Sequence, residues 1–87
     1  MQIFIEKTAK KYLAKLSVPD RERISAAIQG LAQIPPKGDV KPYVGVEGRW
    51  RLKVGQYRIL YKIAGETIAI THIRPRGQAY TKETREG

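Results

Sequence analysis

Eighty-seven residues carry 17 Lys/Arg against 8 Asp/Glu, a net charge of +9, with 41% hydrophobic residues; that suffices for one compact domain, residues 1–87, but not for a core and a deep substrate cavity together. With no cysteine and a single histidine, His72, the chain has no disulfide framework, no thiolate nucleophile, and neither a Cys-based nor a His-cluster metal site. No apolar run spans a bilayer, and Met1-Gln2-Ile3-Phe4 leads straight into charged residues, unlike a secretory signal, so a cytoplasmic protein is expected.

In chain order, Gln2-Ile3-Phe4-Ile5 reads as a short strand of bulky residues. Ala9, Tyr12, Leu13 and Leu16 then recur at helical spacing, with Lys7, Lys10, Lys11 and Lys15 mostly off that stripe. Ser17-Val18-Pro19-Asp20 breaks the first helix and starts a second: Ser17 suits an N-cap, Pro19 a first turn, and Asp20 a capping-box position. Ile24, Ala27, Ile28 and Leu31 form the second stripe, weakened slightly by Gly30, and Ile34-Pro35-Pro36 ends it. Two helices joined this closely are expected to form an antiparallel hairpin with one shared apolar side.

Residues 35–48, rich in proline and glycine, read as a connecting loop. Strands are expected at about 49–54, 57–63 and 67–74, joined by two-residue turns at Gly55-Gln56 and Gly65-Glu66. Pro75 interrupts the last strand, and the polar tail 81–87 is expected to fray. The order strand, two helices, three-strand meander gives a two-layer α+β domain with both helices on one sheet face.

A two-residue Gly55-Gln56 loop fixes the hairpin register: Val54 opposes Tyr57, Lys53 Arg58, Leu52 Ile59, Arg51 Leu60 and Trp50 Tyr61. Alternation puts Trp50, Leu52, Val54, Tyr57, Ile59, Tyr61 and Ile63 under the helices. Arg49, Arg51, Lys53, Arg58 and Lys62 share the open face with Leu60. Lys53 opposite Arg58 is a like-charge pair that costs stability, and no Asp or Glu lies between Gly48 and Glu66. Uncompensated repulsion needs a cause, and a bound polyanion supplies one. Residues 41–80 hold eight Lys/Arg against two Asp/Glu, whereas residues 1–40 hold seven against four, so the field is concentrated around this hairpin. Membrane-surface binding fits poorly, because neither helix joins a strongly basic face to a large exposed apolar one.

The last cationic stretch is His72-Ile73-Arg74-Pro75-Arg76-Gly77-Gln78-Ala79-Tyr80. Strict pairing through Gly65-Glu66 puts His72 and Arg74 on the core side; a bulge, or departure from the strand near Pro75, swings an arginine to the open face. Arg76 and Tyr80 escape that constraint. Tyr80 suits either stacking on a nucleobase beside phosphate-binding arginines or packing along the C-terminal segment. For His72 a partly buried, hydrogen-bonded ring is expected.

The element order, the stretch RLKVGQYRILYKI, the closing HIRPRGQAY and the lead-in Lys41-Pro42-Tyr43-Val44-Gly45 together resemble the RelE branch of the RelE/ParE superfamily of type II toxins, over nearly the whole chain. The resemblance implies an antiparallel sheet with the first strand beside the last. It also implies a metal-independent endoribonuclease, with no cofactor, that cleaves mRNA in the ribosomal A site. Its partners would be a cognate antitoxin, which neutralises it, and the ribosome with its mRNA.

Residue by residue, the resemblance puts Arg51 and Lys53 where the family has two lysines, Arg58 at its arginine after the tyrosine, and Tyr80 at its C-terminal tyrosine. Arg74 or Arg76 fits the remaining arginine. Arg51 departs from the family lysine: it keeps the charge but, staying protonated, is unsuited to proton abstraction. The implied chemistry is attack of the ribose 2′-OH on the adjacent phosphate, which needs a base, an acid and cations around a dianionic transition state. Lys53, crowded by Arg51 and Arg58, is the candidate base. Arg51 and Arg58 would stabilise the phosphorane, Arg74 or Arg76 would assist the leaving oxygen, and Tyr80 would orient a base. Arg49, Lys62 and Lys41 are candidate RNA contacts. A ParE-like inhibitor of DNA gyrase and a non-catalytic RNA-binding module are the alternatives.

Overall fold

The computed structural model describes residues 1–34, 36–43 and 48–75. Seven elements follow one another: β1 (Gln2–Ile5), α1 (Lys7–Ala14), α2 (Val18–Gly30), β2 (Asp39–Pro42), β3 (Arg49–Val54), β4 (Tyr57–Ala64) and β5 (Thr67–Pro75). They form a five-stranded mixed sheet in the order β1-β5-β4-β3-β2, with two helices packed on one face. The expected α+β architecture is the observed one. β1 does lie beside the last strand, but the pair is parallel, Gln2 to Thr67 through Ile5 to Ile70, so the sheet is mixed rather than antiparallel.

α2 begins at Val18, just after the expected break with Pro19 in its first turn, yet the expected capping box does not form. Ser17 takes the extended N-cap conformation without a side-chain cap bond. Asp20 is drawn away instead: its Oδ1 accepts from Arg23 at 2.8 Å and its Oδ2 from the Tyr57 hydroxyl at 3.1 Å. The start of α2 is thereby fastened to β4. The Tyr57 ring also meets Tyr12 of α1 edge to face, centroids 6.5 Å apart, a favoured aromatic geometry. Each helix takes its own part of the sheet, α1 over β5 and α2 over β3.

The core joins Ala9 of α1 and Ile24, Ile28 and Leu31 of and just after α2 to Leu52, Val54, Ile59, Tyr61, Ile68, Ile70 and Ile73 of the sheet. Trp50 and Tyr57 pack at its margin. Ile63, expected under the helices, is 40% exposed near the end of β4.

The hairpin register is the expected one at every pair from Arg49–Lys62 to Val54–Tyr57. Gly55 and Gly65 each start their turns with positive φ, 55° and 60°, as the first position of a type II′ turn demands.

One feature departs from expectation, and a second settles a point that strict pairing left open. The supposed loop 35–48 contains β2, an edge strand that pairs Asp39 with Lys53 and Pro42 with Trp50. Gly38 makes this approach possible: its φ is 109°, and a Cβ there would lie 2.7 Å from Leu52 Cδ1. The second is in β5, which takes the bulged alternative and carries one extra residue. Tyr61 pairs with Ile70 but Leu60 with His72, leaving Thr71 bulged. Thr71 is buried, and its hydroxyl donates to the Leu60 carbonyl at 3.1 Å.

Candidate functional site: a basic sheet face

The bulge decides which side chains share the face turned away from the helices. Without it, His72 and Arg74 would point into the core. With it, Ile73 points inward against Ile59, while His72 opposes Leu60 and Arg74 opposes Arg58. Cross-strand partners lie on one face, so the registers assemble transverse rows. The first is Asp39–Lys53–Arg58–Arg74, the second Lys41–Arg51–Leu60–His72, and the third Arg49–Lys62–Ala69–Phe4.

Every candidate within the described residues therefore reaches the same surface: Lys53, Arg58, Arg51, Arg74, Arg49, Lys62 and Lys41. Arg76, Tyr80 and the tail 81–87 lie outside the described residues. Of the two alternatives, Arg74 stands directly across from Arg58, while Arg76 lies outside the described residues.

The face is not the uniformly open surface expected from alternation. Arg58 is only 2% exposed, and Leu60 and Ala69 are also buried, at 6% and 8%. Lys53, Arg51, Arg49, Arg74, Lys62 and His72 are half-buried around them, and Lys41 and Asp39 are exposed at the β2 edge. A guanidinium cannot shed its charge on burial. Arg58 thus presents a fixed positive charge at a site of low local dielectric, where attraction for an anion is strongest. No described residue hydrogen-bonds Arg51 Nη1, which is also shielded from water.

Two carboxylates border the cations. Asp39, on the strand that sequence reading took for loop, opposes Lys53 directly. Glu6 approaches Lys62, Oε2 to Nζ 3.8 Å, with both side chains more than a third exposed, so that pair is weak. The face is therefore cationic in its middle and tempered at two margins. His72 is partly buried, as expected, and sits on the basic face. Among the described residues, no three His, Asp or Glu side chains cluster closely enough to hold a metal ion, and no helix is long and apolar enough to cross a membrane.

Residues 3–80 match the family model of the ParE toxin of the type II toxin–antitoxin system parDE. No curated protein matches the chain significantly. Among solved structures, the fold resembles the RelB–RelE antitoxin–toxin complex of Methanococcus jannaschii, with TM-score 0.74, 29% identity and coverage of 88% of this chain and 94% of that one. It also resembles the archaeal RelE–RelB complex of Pyrococcus horikoshii, with TM-score 0.75, 27% identity and coverage of 90% and 97%. The isolated E. coli RelE toxin shares the fold at TM-score 0.73 and 16% identity, covering 97% and 95%. The chain belongs to the ParE toxin family of type II toxin–antitoxin systems, within the RelE/ParE superfamily, and its structural likeness is to the RelE branch.

Proposed function

We propose that this toxin is a ribosome-dependent endoribonuclease that cleaves mRNA in the A site, working in the cytoplasm as a single domain and held inactive by a cognate antitoxin. The observation that carries the reading is the row Lys53–Arg58–Arg74, with Arg51 beside it, on one sheet face. Three adjacent strands bring to one line the cations that a dianionic phosphorane requires. The antitoxin is supported by solved relatives that are themselves antitoxin–toxin complexes.

In this reading the 2′-oxygen attacks the adjacent phosphorus, the P–O5′ bond breaks, and the products are a cyclic phosphate and a 5′-hydroxyl. Lys53 accepts the 2′-OH proton. Arg58 and Arg51 bind the non-bridging oxygens. Arg74 donates a hydrogen bond to the leaving O5′, which takes its proton from solvent water to become the 5′-hydroxyl, with Arg76 as the other candidate donor, and Tyr80 orients a base. Arg49, Lys62 and Lys41 hold flanking phosphates. Asp39 ends the row and repels phosphate, so the strand lies on the Arg58 side of Lys53. Placement by the ribosome compensates for weak acid–base groups.

Primer extension on a defined mRNA in programmed ribosomes tests this, wild type against Arg58→Ala. Cuts within the A-site codon that vanish in the variant are expected; intact mRNA with the wild type refutes the reading. Lys53→Met leaving cleavage unimpaired would remove Lys53 as the base. The match to the ParE model favours a second reading, inhibition of DNA gyrase, which a supercoiling assay run alongside would detect.

A further inference from the structure

A second cationic surface adjoins the rows described above and shares Arg74 and His72 with them. Between α1 and the end of β5 runs a cleft lined by Lys11, Tyr12 and Lys15 on one side and His72, Ile73 and Arg74 on the other. Lys11 and Lys15 are both exposed and four residues apart, so they stand together on one side of α1. The helix dipole favours cations in a last turn, but it does not require them to face the same cleft as Arg74.

Among the described residues, no carboxylate lines this cleft. Glu6, just before α1, approaches Lys62 on the basic face, and Asp20 of α2 accepts from Arg23 and Tyr57. Arg74 belongs to both places: it lines the cleft and opposes Arg58 on the basic face. The cleft is therefore continuous with the row. Its cationic rim and the half-buried Tyr12 ring match a single-stranded nucleic acid, whose phosphates seek cations and whose bases seek aromatic surface.

We infer that the α1–β5 cleft is an RNA subsite in which Lys11 and Lys15 hold phosphates of the bound strand beyond Arg74. The identity of the ligand rests on the ribonuclease reading; its path rests on the cleft. Charge complementarity selects a polyanion, and continuity with Arg74 selects the strand already bound there over an unrelated acidic partner.

The test is the salt dependence of binding to an uncleavable 2′-O-methyl RNA of about twelve nucleotides, a length within the usual span of single-strand sites. Wild type is compared with Lys11→Ala/Lys15→Ala by fluorescence anisotropy, and unfolding midpoints verify that both are folded. Loss of two phosphate contacts should lower the slope of log K against log salt by about 1.4. An unchanged slope overturns the proposal, as does a wild type that binds no RNA. So does a Lys11→Glu/Lys15→Glu variant that keeps its RNA affinity but loses binding to polyglutamate, which would assign the cleft to an acidic protein. If the slope falls as expected while programmed ribosomes show no cleavage, the ribonuclease reading fails and the cleft stands as an RNA subsite.

Discussion

Thr71 donates its hydroxyl to the Leu60 carbonyl, 3.1 Å away, at the point where β5 holds one residue more than β4. This contact pins the bulge that turns His72 and Arg74 onto the basic face. Thr71→Val should leave a buried carbonyl without that donor and cost about 1–2 kcal/mol of stability. Thr71→Ser should restore most of it. Urea denaturation of the three proteins measures the difference, and equal midpoints for Thr and Val would show that the bulge needs no such fastening.

Arg58 is buried in the middle of the row, where shape matters as much as charge. Arg58→Lys keeps the charge but loses the planar fork that can bind two phosphate oxygens at once. Cleavage in programmed ribosomes should fall by about 10²-fold or more, as for the loss of a preorganised transition-state donor. A lysine variant with near-normal rates would mean that Arg58 acts as a point charge only.

Asp39 is the one carboxylate of its row. Asp39→Asn should strengthen RNA binding several-fold at low salt and steepen its salt dependence, because a charge that repels phosphate is gone. Stability should change by less than about 1 kcal/mol, since Asp39 is exposed. Weaker RNA binding in the variant would show that Asp39 positions Lys53 rather than opposing the ligand.

Burial pushes the Tyr61 phenol up from 10.0 to about 12. Below pH 10 the folded and unfolded chains both keep this proton and the contribution is constant. Between pH 10 and about 12 the unfolded chain loses it first, so stability falls as pH rises. Tyr57 shifts in the same direction, chiefly through its hydrogen bond to Asp20. Urea midpoints taken across this alkaline range should decline less steeply for Tyr61→Phe than for wild type; parallel declines would exclude Tyr61 as a source.

The hairpin was legible because two local signals agree. Strict alternation fixes the faces, and a two-residue glycine turn fixes the register, so Lys53 opposite Arg58 follows from the sequence alone. β2 was not legible: Asp39-Val40-Lys41-Pro42 has one apolar residue and a proline, and its pairing is set by β3 rather than by its own propensity. Asp39 was missed with it. The bulge did leave a trace. Ile68, Ile70 and Ile73 all point into the core, and the last step is three residues where alternation requires two. The burial of Arg58 had no such trace, because alternation names a face but not how deeply neighbouring chains bury it.

The parallel pairing of β1 with β5 has a consequence for biosynthesis. The first strand made must wait for the last, Gln2 for Thr67, before its backbone groups find their ladder. Arg74 joins the row from that same late strand. Until β5 is free to pair, the chain therefore has neither a closed sheet nor an assembled basic face. The ladder of β1 and the row through Arg58 are thus completed together, by one and the same strand.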